Sequence, residues 1–139
     1  MTSNTESYRA LHAWQKAMDL VVGVYQLCRK FPSEELFVLS AQLRRATLSV
    51  PSNIAEGYGR GSLVDYLRFL KIAAGSLYET ETQLELAQRL GFINASEFAA
   101  IQKQVQETKR LLAALIRSLE QKHRIQSASP NPLSLIPHP

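Results

Sequence analysis

The residues that could do chemistry do not assemble into a catalytic pattern. The three histidines, His12, His123 and His138, lie far apart in the sequence, whereas a hydrolytic site needs a base, a nucleophile or a metal held close together. A di-metal site in a helical bundle uses a Glu-x-x-His motif on each of two helices, and the chain lacks such a pair. The single cysteine, Cys28, excludes an internal disulfide and a cysteine metal cluster. The sequence therefore predicts no enzyme, no metal and no cofactor.

One spacing keeps an enzymatic alternative open. Arg117 and His123 form an Arg-x5-His pattern, which is similar to the RNA-cleaving motif of the HEPN helical bundles. Any basic helix can produce this spacing by chance, and here it falls at the end of the last predicted helix. Ser49 and Ser52 have no histidine nearby to act as a base. We therefore expect a non-enzymatic protein and keep a HEPN-like ribonuclease as the alternative.

A second pattern is a row of basic residues at seven-residue steps. In the last predicted helix the outermost positions are Lys103, Arg110, Arg117 and Arg124. In the first predicted helix the equivalent positions are Arg9, Lys16, Gly23 and Lys30. Because the first and last helices of a four-helix bundle are neighbours, we expect the two rows to form one basic face that attracts the phosphates of RNA or DNA. The net charge of +4 permits this partner, and the alternative is a solvated surface, since Asp19, Glu107 and Glu120 lie nearby.

The elements that position these residues are helices. Apolar residues recur at steps of three and four and predict helices at about 9–30, 34–58, 63–90 and 95–123. In the first of them the expected core stripe is Leu11, Trp14, Met18, Val21, Tyr25 and Cys28. Short loops make successive helices antiparallel. We therefore predict an all-α, up-down-up-down four-helix bundle over 9–125, a flexible N-terminus at 1–8 and a disordered tail at 126–139 that holds four of the six prolines.

The expected location of the protein rests on two missing patterns, a membrane-spanning apolar run and a signal peptide. No apolar run approaches the ~20 residues that span a bilayer. The polar segment 1–7 lacks the basic and then apolar pattern of a signal peptide. We expect a cytoplasmic protein with no membrane partner.

The second predicted helix is apolar on more than one side, which is typical of a helix that is buried on two sides. A small bundle can bury the extra face only against another chain. We therefore predict a homo-oligomer. The expected interface consists of Phe37, Val38, Ala41, Leu48, Ile54, Ala55 and, on the third helix, Ile72.

The same helix contains Pro51 and several polar residues where core residues are expected. A proline inside a helix removes a backbone donor and costs roughly 3 kcal/mol, so the segment must have a special use. We predict a structural polar cluster in which Arg44 or Arg45 pairs with Glu79 or Glu81, Gly75 allows close approach and Asn53 specifies the register. The full cluster is Arg44, Arg45, Ser49, Pro51, Asn53, Glu56, Ser76, Glu79 and Glu81. The alternative is a ligand or nucleic-acid site.

Four motifs carry a family resemblance. They are Trp14-Gln15-Lys16-Ala17-Met18, Gln42-Leu43-Arg44-Arg45-Ala46, the segment from Ser49-Val50-Pro51-Ser52-Asn53 to Gly59-Arg60, and Gly75-Ser76-Leu77-Tyr78-Glu79-Thr80-Glu81-Thr82-Gln83-Leu84. Their order and spacing over about 8–122 resemble the four-helix-bundle family of 23S rRNA intervening-sequence proteins. The tail lies outside the pattern.

The resemblance implies a ring-like homopentamer. Related accessory proteins of diversity-generating retroelements are similar, and they use a basic surface to bind nucleic acid and a reverse transcriptase. By this resemblance we expect a non-enzymatic homopentameric scaffold that binds RNA or DNA through its basic face, as an accessory to a reverse transcriptase. The alternative from another class is a protein-interaction scaffold with no nucleic-acid binding.

Overall fold

The computed structural model describes residues 7–128. Within that range it contains four α-helices, which are α1 (His12–Cys28), α2 (Leu39–Tyr58), α3 (Leu63–Arg89) and α4 (Ala95–Ala128). Two short 3-10 helices, Tyr8–Ala10 and Ser33–Glu35, precede α1 and α2, and these residues include no strand. The prediction of an all-α chain with four helices is confirmed.

Two predicted boundaries need correction. The second helix begins at Leu39 rather than near 34, because a 3-10 helix occupies Ser33–Glu35 and Val38 has a non-helical backbone with φ −115° and ψ −102°. The fourth helix continues to Ala128, so the predicted tail at 126–139 starts too early. The rest of that tail and residues 1–6 of the predicted flexible N-terminus lie outside the described residues.

The helices pack in a square. Helix α1 contacts α2 and α4, and α3 contacts α2 and α4, while the diagonal pairs have no Cα atoms within 8 Å in the described part of the chain. Along α3 and α4 the residue numbers of contacting pairs run in opposite senses, from Glu81 with Gln102 to Lys71 with Glu120. Neighbouring helices are therefore antiparallel, as predicted for an up-down-up-down bundle.

The core stripe of α1 differs from the prediction by one residue. The fully buried side chains are Ala13, Ala17, Leu20 and Val24, whereas Met18 is 40% exposed and Tyr25 is 39% exposed. One residue corresponds to a rotation of about 100° about the helix axis. The alanines leave room for close packing, and a pattern judged by large apolar residues passes over them. In α3 and α4 the predicted stripes, which include Leu70, Leu77, Val105 and Leu112, are buried as expected.

Of the glycines in α2 and α3, Gly57 lies at the tightest contact between the two helices. A Cβ atom at Gly57 would lie 2.7 Å from Phe69 Cβ and 3.2 Å from the Tyr66 carbonyl oxygen. At Gly75 a Cβ would meet nothing within 4 Å, so the prediction that Gly75 permits close approach is wrong. Helix α4 begins with a capping box, in which Asn94 Oδ1 accepts from the Glu97 N–H at 2.7 Å and Glu97 Oε1 accepts from the Asn94 N–H at 2.9 Å.

Among the helices that the structure describes, none combines the length and the apolar character required to cross a membrane.

Candidate nucleic-acid interface

Five basic side chains of α4, including Lys122, are exposed without an ion-pair partner within residues 7–128, and four of the five recur at seven-residue steps. We refer to these four as the α4 row: Lys103, Arg110, Arg117 and Arg124. Seven residues of α-helix rise about 10.5 Å, so the row forms a line of cations along the bundle. Because seven residues fall about 20° short of two turns, the row drifts around α4 toward the groove that faces α3.

The lysines of α1 are arranged differently. Lys16 Nζ lies 3.1 Å from Glu107 Oε1, and Lys30 forms an ion pair with Glu97. Gly23, which the sequence places on the outer face, instead packs against Gln104 and Ile101 of α4. The expectation that Lys16 and Lys30 form an open face together with the α4 row therefore needs correction. The rotation of α1 by one residue turns both lysines toward the carboxylates of α4.

The Lys30–Glu97 pair also affects the carboxyl group. Hydrogen bonds from Lys30 Nζ and from the Asn94 backbone N–H lower the pKa of Glu97 below its ordinary value. The remaining predicted cation, Arg9, is exposed, and its guanidinium carbon lies 5.4 Å from the Tyr8 ring centroid and 5.9 Å from that of Trp14. Within the described residues, the α4 row and Arg9 are thus the parts of the predicted basic face without an anionic partner, and Arg9 lies beside two aromatic rings.

The α4 row borders a groove between α3 and α4, which contains two open pockets. The larger, of about 680 Å³, is lined by Val64, Leu67, Arg68, Lys71, Ile72, Glu120, His123 and Arg124. The smaller, of about 450 Å³, is lined by Ala74, Leu77, Tyr78, Gln106, Lys109, Arg110, Leu112, Ala113 and Ile116. Arg124 and Arg110 contribute one side chain to each pocket, so the row and the groove form one continuous surface.

Glu81 organises the wall of this groove. Its carboxylate accepts hydrogen bonds from Lys109 Nζ at 3.0 Å, Gln102 Nε2 at 3.0 Å and Gln106 Nε2 at 2.6 Å. Burial alone would raise the pKa of Glu81, but these hydrogen bonds and the charge of Lys109 hold the pKa below its ordinary value. The i, i+4, i+7 spacing of Gln102, Gln106 and Lys109 places three donors on one side of α4, but it does not indicate the partner carboxylate on α3, so the network was not predicted.

The predicted pairing of Arg44 or Arg45 with Glu79 or Glu81 is wrong. Arg44 donates to Ser40 Oγ and, at 3.3 Å, to the Leu36 carbonyl oxygen. Arg45 is exposed on α2, and Glu79 accepts from Gln83 Nε2 at 3.4 Å. The reason is helix geometry. Ser76 faces α2, and Glu81, five residues further on, is rotated by about 140° toward α4.

Three members of the predicted polar cluster do come together. Ser49 Oγ and Ser76 Oγ are 2.8 Å apart across the α2–α3 contact, and Asn53 Nδ2 donates to both the carbonyl oxygen and Oγ of Ser49. Pro51 is buried beside them within an uninterrupted α2. Glu56 lies apart, with Oε2 3.9 Å from Nη2 of Arg60 in the turn that follows α2. These polar groups bond to one another, which favours the structural interpretation over a ligand site.

The predicted interface residues divide between two surfaces. Phe37, Val38 and Leu48 are exposed, Phe37 to 86%, and Ala41 and Ala55 are half-buried on the same side of α2. Ile72 is exposed in the α3–α4 groove instead. Ile54 is fully buried, so its assignment to an outer interface is wrong. It lies on the core stripe of α2, four residues after Val50.

Helix α1 also contributes to this surface, which was not predicted because Met18 and Tyr25 were placed in the core. Tyr25 lies beside Arg44, whose guanidinium carbon is 5.9 Å from the ring centroid, and Arg44 in turn reaches Leu36. Val22 and Met18 occupy the same side of α1, one and two turns before Tyr25. We define the α1–α2 apolar face by its exposed side chains, Met18, Val22, Tyr25, Leu36, Phe37, Val38 and Leu48.

The candidates for catalysis remain apart. His123 is half-buried in the larger pocket, while Arg117 does not line it. Glu120 and His123 form a single Glu-x-x-His motif, but Glu120 lies 3.1 Å from Lys71 Nζ, and residues 7–128 contain no group of three or more His, Cys, Asp or Glu side chains suited to a metal. Burial raises the pKa of the Cys28 thiol, which makes it a poor nucleophile. His138 lies outside the described residues.

Comparisons with known proteins agree with this fold. The family model of the 23S rRNA-intervening sequence protein matches residues 9–114. A crystal structure of a protein of unknown function from the S23 ribosomal protein family of Bacteroides thetaiotaomicron is 30% identical, with a TM-score of 0.70 over 75% of this chain and 97% of that chain. A search of curated proteins gives no match. The chain belongs to the 23S rRNA-intervening sequence protein family.

Proposed function

We propose that this protein is a non-enzymatic homopentameric scaffold that binds RNA or DNA through the α4 row. The single observation that carries the proposal is the line of four exposed cations without a carboxylate partner in the described residues. Each cation can neutralise a phosphate and release a counterion, which favours binding without reading the base sequence. The name of the family, which refers to an rRNA sequence, supports a nucleic-acid partner.

Assembly strengthens this function. In a ring of identical copies the α4 row repeats once per subunit, so weak contacts to one long nucleic acid add up through effective concentration. The α1–α2 apolar face supports assembly, because contiguous exposed apolar surface of this kind marks an interaction site. The resemblance to retroelement accessory proteins extends the proposal to a reverse transcriptase as a protein partner.

The test is a binding titration of labelled RNA and DNA at about 50 and 200 mM salt. We expect wild-type binding to weaken steeply with salt. The variant Arg110→Glu/Arg117→Glu should bind at least tenfold more weakly, and its negative slope of log affinity against log salt should become shallower by about two. The control is Arg29→Glu/Arg45→Glu, which makes the same change of net charge at two exposed arginines outside α4. Equal losses of affinity in both variants would show that net charge alone causes the effect, and they would overturn the α4 row as the binding site.

A rival function is a protein-interaction scaffold with no nucleic-acid binding, and the α1–α2 apolar face favours it. Its seven exposed apolar side chains, Phe37 above all, would suit a protein partner equally well. The same titration separates the two functions. Absence of salt-dependent binding by the wild-type protein supports the rival and overturns our proposal.

A further inference from the structure

Tyr78 of α3 stands out among the exposed aromatic side chains because its ring is both accessible and held in place. It is 62% exposed at the edge of the smaller pocket of the α3–α4 groove. Lys109 Nζ lies over one side of the ring, 4.6 Å from the centroid, and is itself held 3.0 Å from Glu81 Oε1. One face of the ring is thus packed by a positioned cation, and the exposed remainder is available to a planar ligand.

The surroundings of Tyr78 suit a planar group that carries a negative charge. The inner wall of the pocket is apolar, with Ala74, Leu77, Ala113 and Ile116, and its volume of about 450 Å³ is large enough for a heterocyclic ring. Arg110 lines the same pocket and has no ion pair within residues 7–128. The carboxylate of Glu81 is neutralised by Lys109, so it does not oppose an anion here.

We propose that this pocket holds an unpaired base of a single-stranded nucleic acid, stacked on Tyr78, with an adjacent phosphate on Arg110. The inference rests on the proposed function and deepens it by naming the class of nucleic acid. Aromatic side chains stack on bases of any sequence, provided that the bases are not enclosed in a duplex. The α4 row alone contacts only phosphates and would accept either form. The pocket therefore makes the protein prefer single strands.

The experiment measures fluorescence anisotropy with a labelled RNA strand free of self-complementarity, with a DNA strand of the same sequence, and with the duplex of each. We expect at least one single strand to bind five- to tenfold more tightly than its duplex. Tyr78→Ala should weaken single-strand binding about tenfold and leave duplex binding unchanged, because the substitution removes the stacking surface without altering charge. Tyr78→Phe should retain the preference. Leu86→Ala, which removes an exposed apolar side chain of α3 outside both pockets of the groove and outside the α1–α2 apolar face, is the control.

The outcomes distinguish this inference from the proposed function. Equal binding of single strands and duplexes by the wild-type protein, or a preference that survives in Tyr78→Ala, overturns the pocket and leaves the α4 row standing. Loss of the preference in both Tyr78→Ala and Leu86→Ala also overturns it. Absence of all binding overturns the proposed function and this inference together. Circular dichroism and light scattering, recorded for each variant at the same protein concentration, show whether the variant keeps the fold and the assembly of the wild-type protein.

Discussion

The α1–α2 apolar face and the α3–α4 groove are both built from amphipathic helices, yet they differ in their cations: the apolar face has one engaged arginine, and the groove has two paired lysines beside the unpaired α4 row. At the α1–α2 apolar face the neighbouring Arg44 is engaged by Ser40, the Leu36 carbonyl and the Tyr25 ring. Along the groove the α4 row keeps its four cations free of carboxylates. The contrast teaches that the surface proposed for assembly and the row proposed for phosphate binding lie on different sides of one small bundle.

A similar contrast holds within the predicted basic face itself. Lys16 and Lys30 of α1 form ion pairs with Glu107 and Glu97, while the α4 row has no such partner in the described residues. Exposed ion pairs add little stability, typically 0–1 kcal/mol, but they remove a positive charge from the surface that a phosphate would meet. The position of the neighbouring carboxylates, rather than the number of lysines and arginines, decides where a phosphate can bind.

The largest expected effect tests whether the α1–α2 apolar face is the assembly surface. Val22→Glu/Leu48→Glu should convert the proposed homo-oligomer to a 15.6 kDa monomer, because two carboxylates would be buried without partners in its interface. Light scattering measures the mass. Leu86→Glu/Leu90→Glu, which changes two exposed leucines at the end of α3, should leave assembly intact. If the α3 variant dissociates and the α1–α2 variant does not, the assembly surface lies at the end of α3 and not on the α1–α2 apolar face.

The next largest effect is on the free energy of unfolding and tests the packing of α2 against α3. Gly57→Ala should lower the free energy of unfolding by about 1–3 kcal/mol, because the new Cβ would lie 2.7 Å from Phe69 Cβ. Gly75→Ala should raise it by about 0.5–1 kcal/mol, because alanine favours the helix and the new Cβ meets nothing. Urea unfolding at one fixed protomer concentration gives both values. Two changes of the same sign would mean that the α2–α3 contact is not tightest at Gly57.

The smallest effect sharpens the contrast between paired and free cations. Glu107→Gln removes the partner of Lys16 and should increase affinity for nucleic acid a few-fold, with a salt slope steeper by at most about one. The unfolding free energy should change by less than about 1 kcal/mol. Glu34→Gln makes the same change of charge at an exposed site between α1 and α2. An equal gain in affinity for both variants would show that overall charge, and not the position of Lys16, is responsible.

The four helices could be predicted because each carries a long apolar repeat with clear end signals. Asn94 and Glu97 form the expected capping box, and the stripes of α3 and α4 are buried as their spacing indicates. The errors occurred where large side chains were taken as the core. Ala13 and Ala17 line the core of α1, while Met18 and Tyr25 stay exposed. A rotation of one residue then displaced every prediction that depended on that helix, including the open lysine row.

The candidate site could be predicted only in part. The α4 row follows from a seven-residue repeat on one helix, so no knowledge of the neighbouring helices was needed. The Tyr78 pocket and the Glu81 network join α3 to α4, and their residues lie 20 or more positions apart in the chain. No local spacing announces such a contact.

The sequence by itself determined the number and order of the helices, the family and the line of cations on α4, because these depend on periodicity and order along one chain. The tertiary structure alone decided which cations remain free, which leucines and valines stay exposed, and that Tyr78 and Arg110 line the same pocket. These features depend on how each helix is rotated about its axis. That rotation is set by the packing of small and large side chains between neighbouring helices, which a pattern read along one helix does not contain.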